Sequence, residues 1–194
     1  PFLFNSEEHA YKVLDGEVGK ILSDGLSRHN MKALALWEIG FRNVTNNVRP
    51  VKVPADMKGL KLRTTPNPAH VKAFELLGAN PTPMPFAELY VALQTGTVDG
   101  QENPVVHIYN SRLHEVQKFL SLTANAYTAA PLVINLKKFN SLSAEYQALL
   151  VSAAHEGAMY ERKLNRDLAE ESLAKIKESG VQVVENPDVD AFRK

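Results

Sequence analysis

The chain contains no cysteine, which excludes disulfides, thiolate metal sites and a cysteine nucleophile. It also lacks a charge excess of either sign. Lys plus Arg and Asp plus Glu each number 22, so the formal net charge is zero. A domain that binds a polyanion carries a basic excess, and nucleic acid is therefore not an expected partner. No apolar run approaches the roughly 20 residues that cross a bilayer, so direct membrane insertion is not expected. No basic, apolar, small-residue leader opens the chain. Pro1-Phe2-Leu3-Phe4 and Asp190-Ala191-Phe192-Arg193-Lys194 read like the interior of a domain, and a fragment is the expectation. The enzyme motifs are missing too: there is no Gly-x-Ser-x-Gly, P-loop, Gly-x-Gly-x-x-Gly or His-Glu-x-x-His. Among the six histidines, His107 and His114 share a helical spacing but do not complete a metal site. His155-Glu156 lacks the second histidine of a zincin. The expectation is a protein with no catalytic residues, no metal and no cofactor.

What is present is an ordinary globular composition, 44% hydrophobic and 23% charged over 194 residues, enough for one large domain or two small ones. Apolar residues recur at spacings of three and four between Glu7 and His29, which predicts a helix that Gly16 and Gly19 interrupt or divide. Lys32 to Trp37 has strand length, and Gly40 to Asn46 reads as a loop leading into another extended piece. Leu60 to Arg63 alternates like a half-buried strand. A helix from Pro68 to Leu77 follows, closed by Gly78. Thr82 to Pro85 is an extended link and Phe86 to Thr95 a short helix. Gln101-Glu102-Asn103-Pro104 leads into a further helix from Val105. Phe119 to Thr123 and Pro131 to Asn135 read as two strands, and Val181 to Val184 as a last one. A long helix is predicted from Ser143 to Ser179, about 55 Å at the standard rise. The alternation gives an α/β fold, in which ligands collect at the carboxyl ends of strands.

The residues that suggest chemistry are arginines in uncharged surroundings. Arg63 ends the alternating strand beside Thr64 and Thr65, with no acidic residue within six positions. A guanidinium fork placed there suits bidentate capture of a carboxylate; the plain alternative is a surface Arg paired with a distant acid. Arg42 lies between Phe41 and Asn43, where it is either a second cation or an exposed loop residue. Asn103, flanked by Glu102 and Pro104, offers an amide to an acid or bonds a turn backbone. Phe86 and Trp37 have packing as their plain alternative.

The same residues carry a family resemblance. Trp37-Glu38-Ile39-Gly40-Phe41-Arg42-Asn43-Val44-Thr45-Asn46, Gly59-Leu60-Lys61-Leu62-Arg63 and, most specifically, the stretch from Pro83-Met84-Pro85-Phe86 through Gly100-Gln101-Glu102-Asn103-Pro104 resemble the DctP-type solute-binding proteins of TRAP (tripartite ATP-independent periplasmic) transporters. The resemblance runs along essentially the whole chain. It implies a type II periplasmic-binding-protein-like α/β fold, with two lobes, a hinge, a long connecting helix and an incomplete first lobe. By the same analogy residues 1–39 and 128–165 belong to the first lobe, and residues 40–127 and 166–194 to the second. The resemblance also assigns roles. Arg63 makes the principal salt bridge to a ligand carboxylate, Arg42 supplies a second cationic contact, Asn103 hydrogen-bonds the acid and Phe86 packs on it. With Trp37 and Glu102 these complete the candidate ligand-binding set.

The function implied is capture of a small organic acid in the periplasm and its delivery to the membrane subunits of a TRAP transporter. The expected mechanism is a clamshell: the acid binds Arg63 and the lobes close by a hinge, with the long helix bending. A binding module that signals to a membrane sensor would use the same residues and differ only in its partner. An α/β enzyme is the third reading, and no nucleophile, base or metal constellation supports it.

Overall fold

The computed structural model describes residues 1–194, and the chain divides into two compact units. Unit one comprises Pro1–Leu3, Phe41–Tyr127 and Leu168–Lys194; unit two comprises Phe4–Gly40 and Thr128–Asp167.

Unit two begins with α1 (Glu7–Leu14) and α2 (Glu17–Gly25). The Ser6 hydroxyl caps α1 by accepting the His9 amide at 3.2 Å, which satisfies one of the donors a helix start leaves open. Gly16 separates the two helices, as expected from the sequence. Gly19 is needed for a different reason. A Cβ there would lie 1.6 Å from the Leu14 carbonyl oxygen, so only glycine lets α2 pass so near the end of α1. After a 3-10 turn the chain enters β1 (Met31–Asn46), which continues into unit one. The loop expected from Gly40 onward is therefore strand. Gly40 takes φ +100 within it, and from Arg42 to Asn46 pairing with β4 (Gly100–Pro104) overrides the low strand propensity of Asn. The two strands expected near 119 and 131 are likewise one, β5 (Phe119–Asn135). The short α6 (Leu136–Asn140) then leads to α7 (Ala144–Glu178), close to the predicted long helix. In unit two α7 sets Ala154 and Ala158 against Ala35, with Leu34 and Trp37 alongside. Arg162, 4% exposed, pins α7 by donating to both Asp15 carboxylate oxygens at 2.6 and 2.7 Å and to the Leu36 carbonyl at 3.0 Å.

Unit one adds β2 (Lys61–Thr64), α3 (Pro68–Leu76), β3 (Asn80–Pro83), α4 (Leu89–Gln94), α5 (Val105–Asn110), β6 (Gln182–Val184) and α8 (Val189–Phe192). The sheet order is β3-β2-β4-β1-β5-β6. β2 is parallel to β3 and β4, whereas β1 runs antiparallel to β4. Two apolar clusters hold the helices on: Leu89, Leu93, Ile108, Leu113, Leu120 and Ile176 form one, and Val44, Met57, Leu60, Leu62, Phe74 and Phe192 the other. Each such fully buried side chain contributes about 1.5–3 kcal/mol. Gly100 sits close against the neighbouring strand. A Cβ on it would sit 2.1 Å from the Thr45 carbonyl oxygen. The topology brings the carboxyl ends of β2, β3 and β4 together, with the Arg42 end of β1 beside that of β4.

Candidate functional site

At those strand ends two arginines, Arg63 and Arg42, meet. Arg63, the third residue of β2, is 2% exposed. Its Nε and Nη2 donate to one acceptor, the Met84 carbonyl, at 3.0 and 2.8 Å. Met84 precedes Pro85, and a residue before proline is confined to extended backbone, so the Pro83-Met84-Pro85 segment fixes that carbonyl in place. No carboxylate of the chain forms an ion pair with Arg63. Burial lowers its pKa, Arg42 lowers it further and Glu102 opposes both, but a guanidinium stays protonated at neutral pH. The Phe86 ring lies 5.8 Å from the guanidinium carbon and is 44% exposed. The result is a buried cation with a ring beside it and no anion.

Arg42 has a different environment. Its Nε donates to Glu102 Oε2 at 2.6 Å, and its Nη2 to Glu102 Oε1 at 2.8 Å, to the Glu102 carbonyl at 2.6 Å and to Asn103 Oδ1 at 2.9 Å. Glu102 is fully buried and also accepts the Asn125 amide at 2.9 Å. The charge of Arg42 is thus balanced within the chain. Asn103 is partly committed too: its Nδ2 donates to Gln101 Oε1 at 2.5 Å, Gln101 donates to the Thr45 hydroxyl at 2.9 Å, and Thr45 to Gln117 at 2.7 Å. One Nδ2 hydrogen of Asn103 remains for another acceptor.

Sequence reasoning missed several of these participants. Asn125, Gln101 and the Met84 carbonyl carry no local signal, because strand pairing and a proline-bounded turn bring them in. His70 on α3 was missed as well. Its Nδ1 lies 3.9 Å from Glu102 Oε1 and 3.5 Å from the Thr65 hydroxyl. Burial, the largest influence, lowers the His70 pKa; Glu102 opposes this and Arg42 adds to it. His107 on α5 is lowered by burial and by Arg42. Both imidazoles are therefore neutral at pH 7. Trp37 belongs to unit two, where it packs with the alanine cluster of α7 and keeps its buried Nε1 without a hydrogen-bond partner. Unit two also holds a cavity of about 660 Å³ bordered by Asp15, Lys32, Leu34, His155 and Arg162. Its buried guanidinium, Arg162, is already bound to Asp15. No cluster of three or more His, Asp or Glu side chains suited to a metal occurs, and no helix is long and apolar enough to cross a membrane.

The DctP family model, for bacterial extracellular solute-binding proteins of family 7, matches residues 1–194. The chain belongs to this family. It is 49% identical over 192 residues to the 2,3-diketo-L-gulonate-binding periplasmic protein YiaO of Escherichia coli K12, a match covering 99% of this chain and 58% of that protein. Among solved structures, the TRAP periplasmic solute-binding protein of Polaromonas sp. JS666 with bound D-erythronate superposes with a TM-score of 0.95 at 41% identity. That of Roseobacter denitrificans with bound β-D-glucuronate gives 0.95 at 37%. Each match covers all of this chain and 64% of the other. The chain thus spans about three fifths of the length of the relatives it matches. The DctP family consists of extracytoplasmic solute-binding proteins rather than enzymes, and its TRAP members share the α/β fold described above.

Proposed function

We propose that the protein captures a small organic acid by pairing its carboxylate with Arg63 and delivers it to the membrane subunits of a TRAP transporter. The observation that carries this reading is the buried Arg63 guanidinium with a carbonyl but no anion for company. A buried charge without a counter-charge costs several kcal/mol, and an arriving carboxylate removes that cost through a two-pronged, charge-assisted hydrogen bond. The spare Asn103 amide hydrogen gives the acid its orientation, and the exposed part of the Phe86 ring covers its apolar side. This is the usual division of a ligand site into a few placed polar groups and an apolar wall. The relatives that hold D-erythronate, D-glucuronate and 2,3-diketo-L-gulonate point to hydroxylated acids as the ligand class. Glu102 and Arg42 act in this reading as a balanced pair behind the anchor.

The test is calorimetric titration of the full chain with sugar acids and with the neutral sugars or polyols of the same carbon skeleton. Binding of an acid with no measurable binding of its neutral counterpart is expected. Equal affinity for both would contradict a carboxylate anchor.

A further inference from the structure

An asparagine amide has an oxygen that accepts and a nitrogen that donates, and on its own it does not fix which end meets a ligand. For Asn103 the choice is made elsewhere in the sheet. A single file of side chains leads away from it: Asn103 Nδ2 donates to Gln101 Oε1, Gln101 Nε2 to the Thr45 hydroxyl, and that hydroxyl to Gln117 Oε1. Gln117 Nε2 then donates to the Val116 carbonyl at 2.9 Å and the Asp99 carbonyl at 3.4 Å. Thr45 and Gln101 are register partners of β1 and β4. All four side chains are buried, so a partner lost from the file leaves an unsatisfied polar group.

The two ends set the direction of the file. At one end Arg42 Nη2 donates to Asn103 Oδ1 at 2.9 Å, and a guanidinium only donates. At the other end stand backbone carbonyls, which only accept. Reversing the file would turn the Asn103 nitrogen toward Arg42 and the Gln117 oxygen toward the carbonyls, a conflict at each end. One direction satisfies every member, and in it the group that Asn103 has to spare is an N–H.

We infer that Gln101, Thr45 and Gln117 are positioning residues that act through Asn103 and hold its amide as a hydrogen-bond donor, so that this point of the site takes an acceptor oxygen of the ligand. The inference rests on the contact between Asn103 and the acid proposed above and names the residues that aim it. None of the three touches the ligand.

The central hydroxyl is the place to test this. Thr45→Val keeps the side chain's shape and removes the hydroxyl, which leaves Gln101 free to turn; Thr45→Ser keeps the hydroxyl. Calorimetry of the full chain with D-erythronate and D-glucuronate, on folded protein, should show binding about tenfold weaker in Thr45→Val, a difference of about 1.4 kcal/mol. Thr45→Ser should stay within about twofold of the parent. The side-chain amide resonances of Asn103 give a second readout in the ligand-free protein. In Thr45→Val they should shift and their hydrogens exchange faster with solvent, although the bond that is lost belongs to Gln101 and not to Asn103. Unchanged affinity, or unchanged Asn103 resonances, in folded Thr45→Val overturns the inference. An equal loss in Thr45→Ser overturns it too, since shape and not the hydroxyl would then be responsible. If neither acid binds the parent better than its neutral counterpart, the carboxylate anchor itself has failed, and the Asn103 resonances alone decide whether the file holds that amide.

Discussion

Two arginines of similar burial meet different partners. Arg42 is 7% exposed and Arg63 2%, yet Arg42 lies against a carboxylate and Arg63 against a carbonyl. The proposed anchor is therefore distinguished by the lack of a paired carboxylate rather than by burial alone. The histidines beside them carry a consequence for stability. Burial lowers the pKa of His70 and His107 below the ordinary value of 6.5, so the unfolded chain takes up protons at these positions before the folded chain does. Stability rises with pH wherever the unfolded state holds more protons. The contribution of these two residues is therefore complete above pH 6.5 and is lost as the pH falls through the lowered folded values. Glu161 in unit two has the opposite sign, since burial raises its pKa above 4.5, so the histidine effect has to be isolated by substitution. Thermal unfolding at pH 7.5 and 5.5 should show a smaller loss in a His70→Asn, His107→Asn variant than in the parent. An equal loss would mean that the two imidazoles are not desolvated.

At the scale of elements, the sheet around β4 is closely constrained. Gly100 meets the Thr45 carbonyl with no room for a methyl group, and the obstacle is backbone, which cannot swing aside. Gly100→Ala should cost about 3 kcal/mol or more, at the upper end of overpacking penalties, and should weaken acid binding because Glu102 follows two residues later. A melting temperature within one or two degrees of the parent would contradict that register. β4 also shows what the sequence conceals. Gln101-Glu102-Asn103-Pro104 reads only as a lead into the helix from Val105, yet all five residues of the strand are buried. Their polar atoms are satisfied by Thr45, Arg42 and Asn125, which lie on other strands. Local pattern cannot anticipate partners that arrive through pairing. β1 and β5 read as fragments because Gly40 and Pro131 have weak strand propensity and interrupt the local pattern. By contrast, α3 with Pro68 at its start and Gly78 just past its end, and α7 with its long uninterrupted pattern, were legible because their signals are local. Arg63 stands out as a candidate for a similar reason, being a cation at a strand end with no acid nearby in sequence. The cancellation of Arg42 by Glu102 was not legible, because it depends on the register of β1 against β4.

For the whole molecule, ligand and stability are linked. Anything that binds only the folded chain stabilises it, by about 2.7 kcal/mol at a concentration one hundred times Kd. The ligand-free protein carries the cost of burying Arg63 without a paired anion, which in the proposed function is a stability sacrificed for binding. The decisive measurement is a pair of readings on Arg63→Met: calorimetric affinity for a hydroxylated monoacid, and thermal unfolding without ligand. Truncating one side of a buried charge pair costs about 2–5 kcal/mol of binding, so affinity should fall by roughly thirty- to several-thousand-fold. The ligand-free variant should meanwhile unfold at the parent's temperature or above it, because an uncompensated charge has left the interior. Retained affinity would contradict the account outright. A large drop in ligand-free stability would show Arg63 to be a structural residue rather than the anchor of an acid.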